Sequence, residues 1–290
     1  MTSPRSLKYI VPQLEDLYNR YNRREYVSPD PLQFLYDYPD IKDREIVGML
    51  ASALAYGKVK QILKSVARVL ETLGTSPYKT LMSMTFLNLR QTMQGIKHRF
   101  ATSKDIAMML WGIKRMIGEY GSLEAGFMAG FEGNTDTIIP SLINFVSKIR
   151  QLIEDDTKAL NLTTNQNYVG YIGGFNHLLP KPERGGASKR LNLFLRWMVR
   201  KDAVDPGGWK ILPKSKLVVP IDVHMHRIGL ALGLTTRKQA NLKTALDITA
   251  AFREISPDDP VKYDFSLTRF GIRDDINFDG FFSVYGIGKF

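Results

Sequence analysis

The sequence has no cysteine. That absence removes disulfide staples, thiol nucleophiles, cysteine-ligated zinc and cysteine-held iron–sulfur clusters together. No run of about 18 apolar residues occurs, so no membrane-spanning helix is expected. The first residues, MTSPRSLKYIVPQLEDL, turn polar and acidic too early for a secretion signal. Together these features read as a cytoplasmic protein. Histidine is scarce, with only His98, His177, His224 and His226. Alternating β patterns are short and scattered, and no internal repeat or low-complexity tract is evident.

Acid is also in deficit. The 290 residues carry 40 lysines and arginines against 29 aspartates and glutamates, a formal charge of +11. Such a balance fits a polyanionic partner, or simply a well-solvated basic surface. The densest basic segment is Lys181, Arg184, Lys189, Arg190, Arg196, Arg200 and Lys201, interrupted by one acid, Glu183.

What the chain has in quantity is helical periodicity. KVKQILKSVARVLETLG puts Ile62, Val66, Val69, Leu70 and Leu73 on one face and ends on Gly74. SKDIAMMLWGIKRMIGEYG opens on Ser103 as N-cap and buries Ile106, Met109, Leu110, Ile113 and Ile117. DREIVGMLASALAYG, TDTIIPSLINFVSKIRQLI, NLKTALDITAAFREI and DDPVKYDFSLTRFG read the same way, with Pro140 in a first turn. The stretches 155–187 and 201–219 are expected to be irregular, as is a loosely attached tail over 273–290. The fold class is all-α, in a single unit over 1–272.

Two stretches could carry chemistry. In GGASKRLNLFLRWMVR, Gly185 and Gly186 make a tight turn suited to phosphate, Ser188 is a cap, and Lys189 falls in the first helical turn. A helix N-terminus and basic neighbours favour the neutral amine that a lysine nucleophile needs. Contact with phosphate or solvent is the plainer role. In VVPIDVHMHRIGLALGL, Asp222 precedes a helix closing on Gly233, so it is a cap, a metal ligand or a catalytic carboxylate. The metal reading fails on the sequence: helix positions two apart face different ways, and no histidine follows His226.

These stretches resemble the two motifs of the helix-hairpin-helix (HhH-GPD) DNA glycosylases. G-G-A-S-K-R-L-N is similar to the second half of their hairpin, with Lys189 and Asn192 in step. P-I-D-V-H-M-H-R-I is similar to their acid motif, with Asp222, His224 and Arg227 in step. The complete L-P-G-V-G hairpin is absent, and the spacer from lysine to aspartate is long, as in the archaeal 8-oxoguanine enzymes. More closely, D-P-L-Q-F, A-S-A-L-A-Y-G, K-R-L-N-L-F-L-R-W-M-V-R and D-P-V-K-Y-D-F resemble an uncharacterised bacterial family attached distantly to that superfamily.

The resemblance implies a two-lobed helical fold with a cleft between lobes, and a monomer acting on damaged duplex DNA. Asp222 would stabilise the cationic sugar, and Lys189 would form a Schiff base if lyase activity accompanies base release, an oxidised purine being the expected target. Arg184, Gly185, Gly186, Ser188, Arg190, His224 and Arg227 would contact DNA. Tyr56 or Gln61 would fill the gap left by the extruded base, although Tyr56 also reads as an ordinary helix-ending tyrosine. No cofactor is implied beyond a monovalent cation at the Gly185–Gly186 turn. The alternative is a nucleic-acid-binding protein that keeps the scaffold without catalysis.

Overall fold

The computed structural model describes residues 10–159 and 172–269. Among them there are no strands, only two isolated bridges, His98–Ala101 and Gly186–Asn241. No helix in this range is long and apolar enough to cross a membrane. The tail at 273–290 lies outside the described residues.

The helices in the first half are α1 (Val11–Tyr21), α2 (Ile41–Ala53), α3 (Val59–Leu73), α4 (Pro77–Ser83), α5 (Phe86–Thr92), α6 (Ser103–Tyr120), α7 (Leu123–Met128) and α8 (Ile139–Ala159). The second half adds α9 (Ile172–Leu178), α10 (Lys189–Val199), α11 (Val223–Ala231), α12 (Leu242–Ile255) and α13 (Asp264–Thr268). Most of their limits follow local rules. α3 buries the expected apolar face and stops at Gly74, whose φ of 72° suits glycine. α6 begins one residue earlier than expected: Thr102, not Ser103, is the N-cap, and Asp105 completes a capping box.

Two expectations need correction. Residues 155–159 and 172–178 are helical, although the Asn- and Gly-rich composition around them reads as loop. The reason for α9 is tertiary. A Cβ at Gly174 would collide with the Asp105 carboxylate, so glycine lets this short helix lie directly on the start of α6. Conversely, DDPVKYDFSLTRFG is helical only over Asp264–Thr268, with turns before it. The irregular stretch at 201–219 is as expected, apart from one 3-10 turn at Lys214–Lys216.

One continuous apolar core runs through the molecule. α6 packs on α5, α7, α8 and α9, while α2 packs on α10 and on α4. α13 joins α1 to α11. Gly48 is what brings α2 and α10 together: a Cβ there would meet Met198 Sδ at 3.2 Å and Phe194 at 3.5 Å.

Behind α10 lies a buried ionic cluster. Arg196 Nε donates to Asp205 Oδ1 at 3.2 Å, and its other arm holds Asp264. Arg200 pairs with Asp202 at 2.8 Å, with Asp259 at 3.0 Å and with Asp205. Burial works against the charge on Arg200, but Asp205, Asp259 and Asp202 outweigh it and raise its pKa. Removing one partner of such a buried pair strands a charge, which typically costs about 3–5 kcal/mol. Asp205, with no exposed surface, is therefore the critical carboxylate. Asp205→Asn should lower unfolding stability by about that much, read as a shifted urea midpoint.

Candidate active site

α10 and α11 point their N-termini into one cleft of about 600 Å³. Lys189 is the first residue of α10 and Asp222 the N-cap of α11. Their Nζ and Oδ2 atoms lie 3.0 Å apart. Asp222 also does what its sequence position predicts: Oδ1 accepts from the N–H groups of His224 and Met225, both at 2.9 Å. The carboxylate thus divides its work, one oxygen capping the helix and the other facing Lys189. Burial pushes its pKa up, but the Lys189 charge and the Met225 N–H overcome this and hold it below the ordinary 3.8.

The rest of the cleft comes from segments distant in sequence. Pro29, Asp30 and Pro31 form one wall, and Tyr56, Gly57, Lys58 and Val59 another. Leu193 and Arg196 continue the face of α10 that carries Lys189, at four and seven residues further on. Asp264, Thr268 and Arg269 complete the lining, with Arg269 paired to Asp30 at 2.8 Å. Burial, with help from Asp222 and Asp205, raises the Asp264 carboxyl against the pull of Arg196. None of Asp30, Arg196, Asp264 or Arg269 was a site candidate in the sequence. The signal was present: D-P-L-Q-F begins at Asp30, and D-P-V-K-Y-D-F contains Asp264.

The expected DNA-contact residues divide. Lys189 and His224 line the cleft, and Arg184, Gly185, Gly186 and Arg227 are exposed. Gly185 is in the left-handed region at φ 78°, but its N–H donates to Pro182 O at 3.0 Å and its carbonyl accepts from Leu242 N at 2.9 Å. Ser188 stands at the N-cap position with φ 49° and makes no capping bond; its hydroxyl donates to Gly186 O at 3.4 Å. Arg190 turns inward. Its guanidinium donates to Ala53 O at 2.7 Å and to His177 O, and burial pushes its pKa down to about 10. His226 is buried and its Nε2 donates to Arg237 O at 2.8 Å, so its ring is committed apart from the cleft-lining His224.

The 181–201 segment consequently supplies only part of the basic surface, since Arg184 and Lys201 remain exposed. Arg190, Arg196 and Arg200 are committed inside the molecule. Exposed bases also gather around the start of α3 and the 97–104 turn: Lys58, Lys60, Lys64, Arg68, Lys97, Arg99 and Lys104. The two stretches touch, since His98 Nδ1 lies 2.9 Å from Ser65 Oγ.

These features define an all-α protein with a lysine–aspartate pair at two helix N-termini in a cleft. The chain belongs to the family described as "Protein of unknown function (DUF2400)", whose model matches residues 30–273. No curated protein and no solved structure matches it.

Asp222→Asn should keep the capping oxygen and lose only the charge opposite Lys189. Asp222→Ala should lose the cap as well, a further cost of roughly 1 kcal/mol. Because the folded pKa is depressed, the ionised carboxylate stabilises the fold at neutral pH and that contribution fades as pH falls below 3.8. The stability gap between wild type and Asp222→Asn should therefore narrow on acidification, as followed by urea melts across pH.

Proposed function

We propose that the protein is a DNA glycosylase of the helix-hairpin-helix type, removing a damaged base and cutting the resulting site through a lysine Schiff base. On this reading it works as a cytoplasmic monomer, its two lobes meeting at the cleft. The observation that carries the proposal is the 3.0 Å approach of Lys189 Nζ to Asp222 Oδ2 in a cleft of about 600 Å³, room enough for a nucleoside. Two further features support it. A turn containing Gly185 and Gly186 links α9 to α10 immediately before Lys189, and the exposed basic surface adjoins the cleft through Lys58.

Departure of the base leaves positive charge on the sugar. A carboxylate fixed by two N–H groups and held ionised is suited to stabilise that charge without reorganising. The Lys189 amine, once its proton is lost, forms a bond to C1′ as the C1′–N bond breaks. The departing base takes the displaced proton, and opening of the sugar gives the imine. The same ion pair also favours a second reading. A lysine that keeps its proton against Asp222 is no nucleophile, and the protein would then bind nucleic acid without cutting it.

Borohydride trapping separates the two. Wild type should form a covalent adduct with duplex carrying a susceptible lesion, an oxidised purine being the first to try. Lys189→Gln should abolish the adduct while leaving binding largely intact, and Asp222→Asn should slow base release by about a hundredfold or more. Tight binding with neither release nor trapping across a broad lesion panel would assign the binding role.

Duplex affinity should fall steeply with salt, at a log–log slope of roughly −0.9 per phosphate neutralised. Reversing Lys58, Lys60 and Lys64 to Glu should weaken binding to all sequences and flatten that slope. Arg184→Glu should do less. Equal affinity before and after the triple reversal would mean that this basic face is only solvated.

A further inference from the structure

Among the described residues only two that are not glycine have left-handed backbone, Ser188 at φ 49° and Arg99 at φ 51°. One immediately precedes Lys189. The other immediately precedes Phe100, which is 65% exposed. Single exposed apolar side chains are ordinary. This one is held out by a built support.

His98 and Ala101 close a tight turn with reciprocal backbone bonds of 2.9 and 2.8 Å, leaving Arg99 and Phe100 at its tip. The base of the turn is anchored. His98 is buried, its Nε2 donates to Tyr56 O at 3.0 Å, and the Tyr56 hydroxyl donates back to His98 O at 3.0 Å. The Phe100 ring rests edge-on against His177 with centroids 5.4 Å apart, and the Arg99 guanidinium lies 5.3 Å from its centroid. Left-handed backbone at a non-glycine residue is strained, and such strain tends to collect at ligand sites.

The turn stands at the rim of the cleft. A Cβ on Gly57 would meet the Arg99 side chain at 2.7 Å, and Gly57 lines the cleft that holds Lys189 and Asp222. Tyr56, by contrast, is already committed. His98 and His177 each lie 4.6 Å from its ring, and the Arg190 guanidinium lies 4.8 Å from its centroid. It is a pillar of the support.

We propose that Phe100 is a nucleobase-stacking site, entering the duplex where a nucleotide has been drawn out towards the cleft. Its ring stacks on the neighbouring base, and the Arg99 guanidinium lies beside it to meet the flanking phosphate. The ligand is therefore a base step with a gap. This inference rests on the nucleic-acid reading above, and assigns the gap-filling role to Phe100 in place of Tyr56 and Gln61.

The test uses the full chain, an intact duplex, and the same duplex carrying a central tetrahydrofuran abasic site. Wild type should prefer the abasic duplex. Phe100→Ala should lose about tenfold of that preference, the scale of one base–aromatic stack, with binding to intact duplex and thermal melting unchanged. Phe100→Trp should keep the preference, and its added indole emission should be quenched by the abasic duplex but not by the intact one. Full preference in Phe100→Ala, with no quenching in Phe100→Trp, would overturn the stacking role while leaving DNA binding standing. Wild type that binds neither duplex would overturn the DNA reading itself, and this inference with it.

Discussion

Lys189 and Arg196 lie on one side of α10, seven residues apart, and Arg200 follows at its C-cap. At the exposed end that side opens into the cleft. At the buried end its two guanidiniums are held by Asp202, Asp205, Asp259 and Asp264. Charges cannot remain in such a place unless every partner is present, and the partners come from two stretches of chain, 202–205 and 259–264. The cluster therefore fixes the 201–205 turn, the approach to α13 and the roll of α10 at once. The direction in which Lys189 emerges follows from it.

Asp222 is positioned by a different device. Its helix begins where the apolar run 217–221 ends, and the carboxylate that caps the helix is the one that meets Lys189. One side chain thus serves stability and the site together. Asp264 ties the two devices to each other, since it holds Arg196 and also feels the Asp222 charge. The cleft combines an ionised carboxylate, a lysine and a buried carboxyl of raised pKa. Such groups, held apart in character within one cavity, are suited to acid–base or nucleophilic chemistry on a polar substrate.

The inward turn of Arg190, Arg196 and Arg200 changes how the charge of the protein is to be understood. A dense basic stretch on an amphipathic helix need not form a basic face, because some of its members lie on the buried side. Exposed charge also gathers on α3 and the 97–104 turn, where bases are sparser in sequence but acids are nearly absent from the surface. That face carries the Arg99–Phe100 tip and leads to the cleft through Gly57.

The sequence by itself determined the helical class, the ends of α3, the capping role of Asp222 and the position of Lys189 in a first turn. Each depends on hydrogen bonds or side-chain spacing within a few residues, so local pattern suffices. The helix at 172–178 was not legible, because its glycines disfavour helix locally and the close approach of Gly174 to Asp105 is a tertiary contact. Nor were Asp30, Arg196, Asp264 and Arg269 legible as cleft residues, or Arg190 as an internal brace. Their roles depend on partners up to about 240 residues away, such as Arg269 on Asp30. Only packing decides which polar side chains are taken out of water, and that is where tertiary structure made the site.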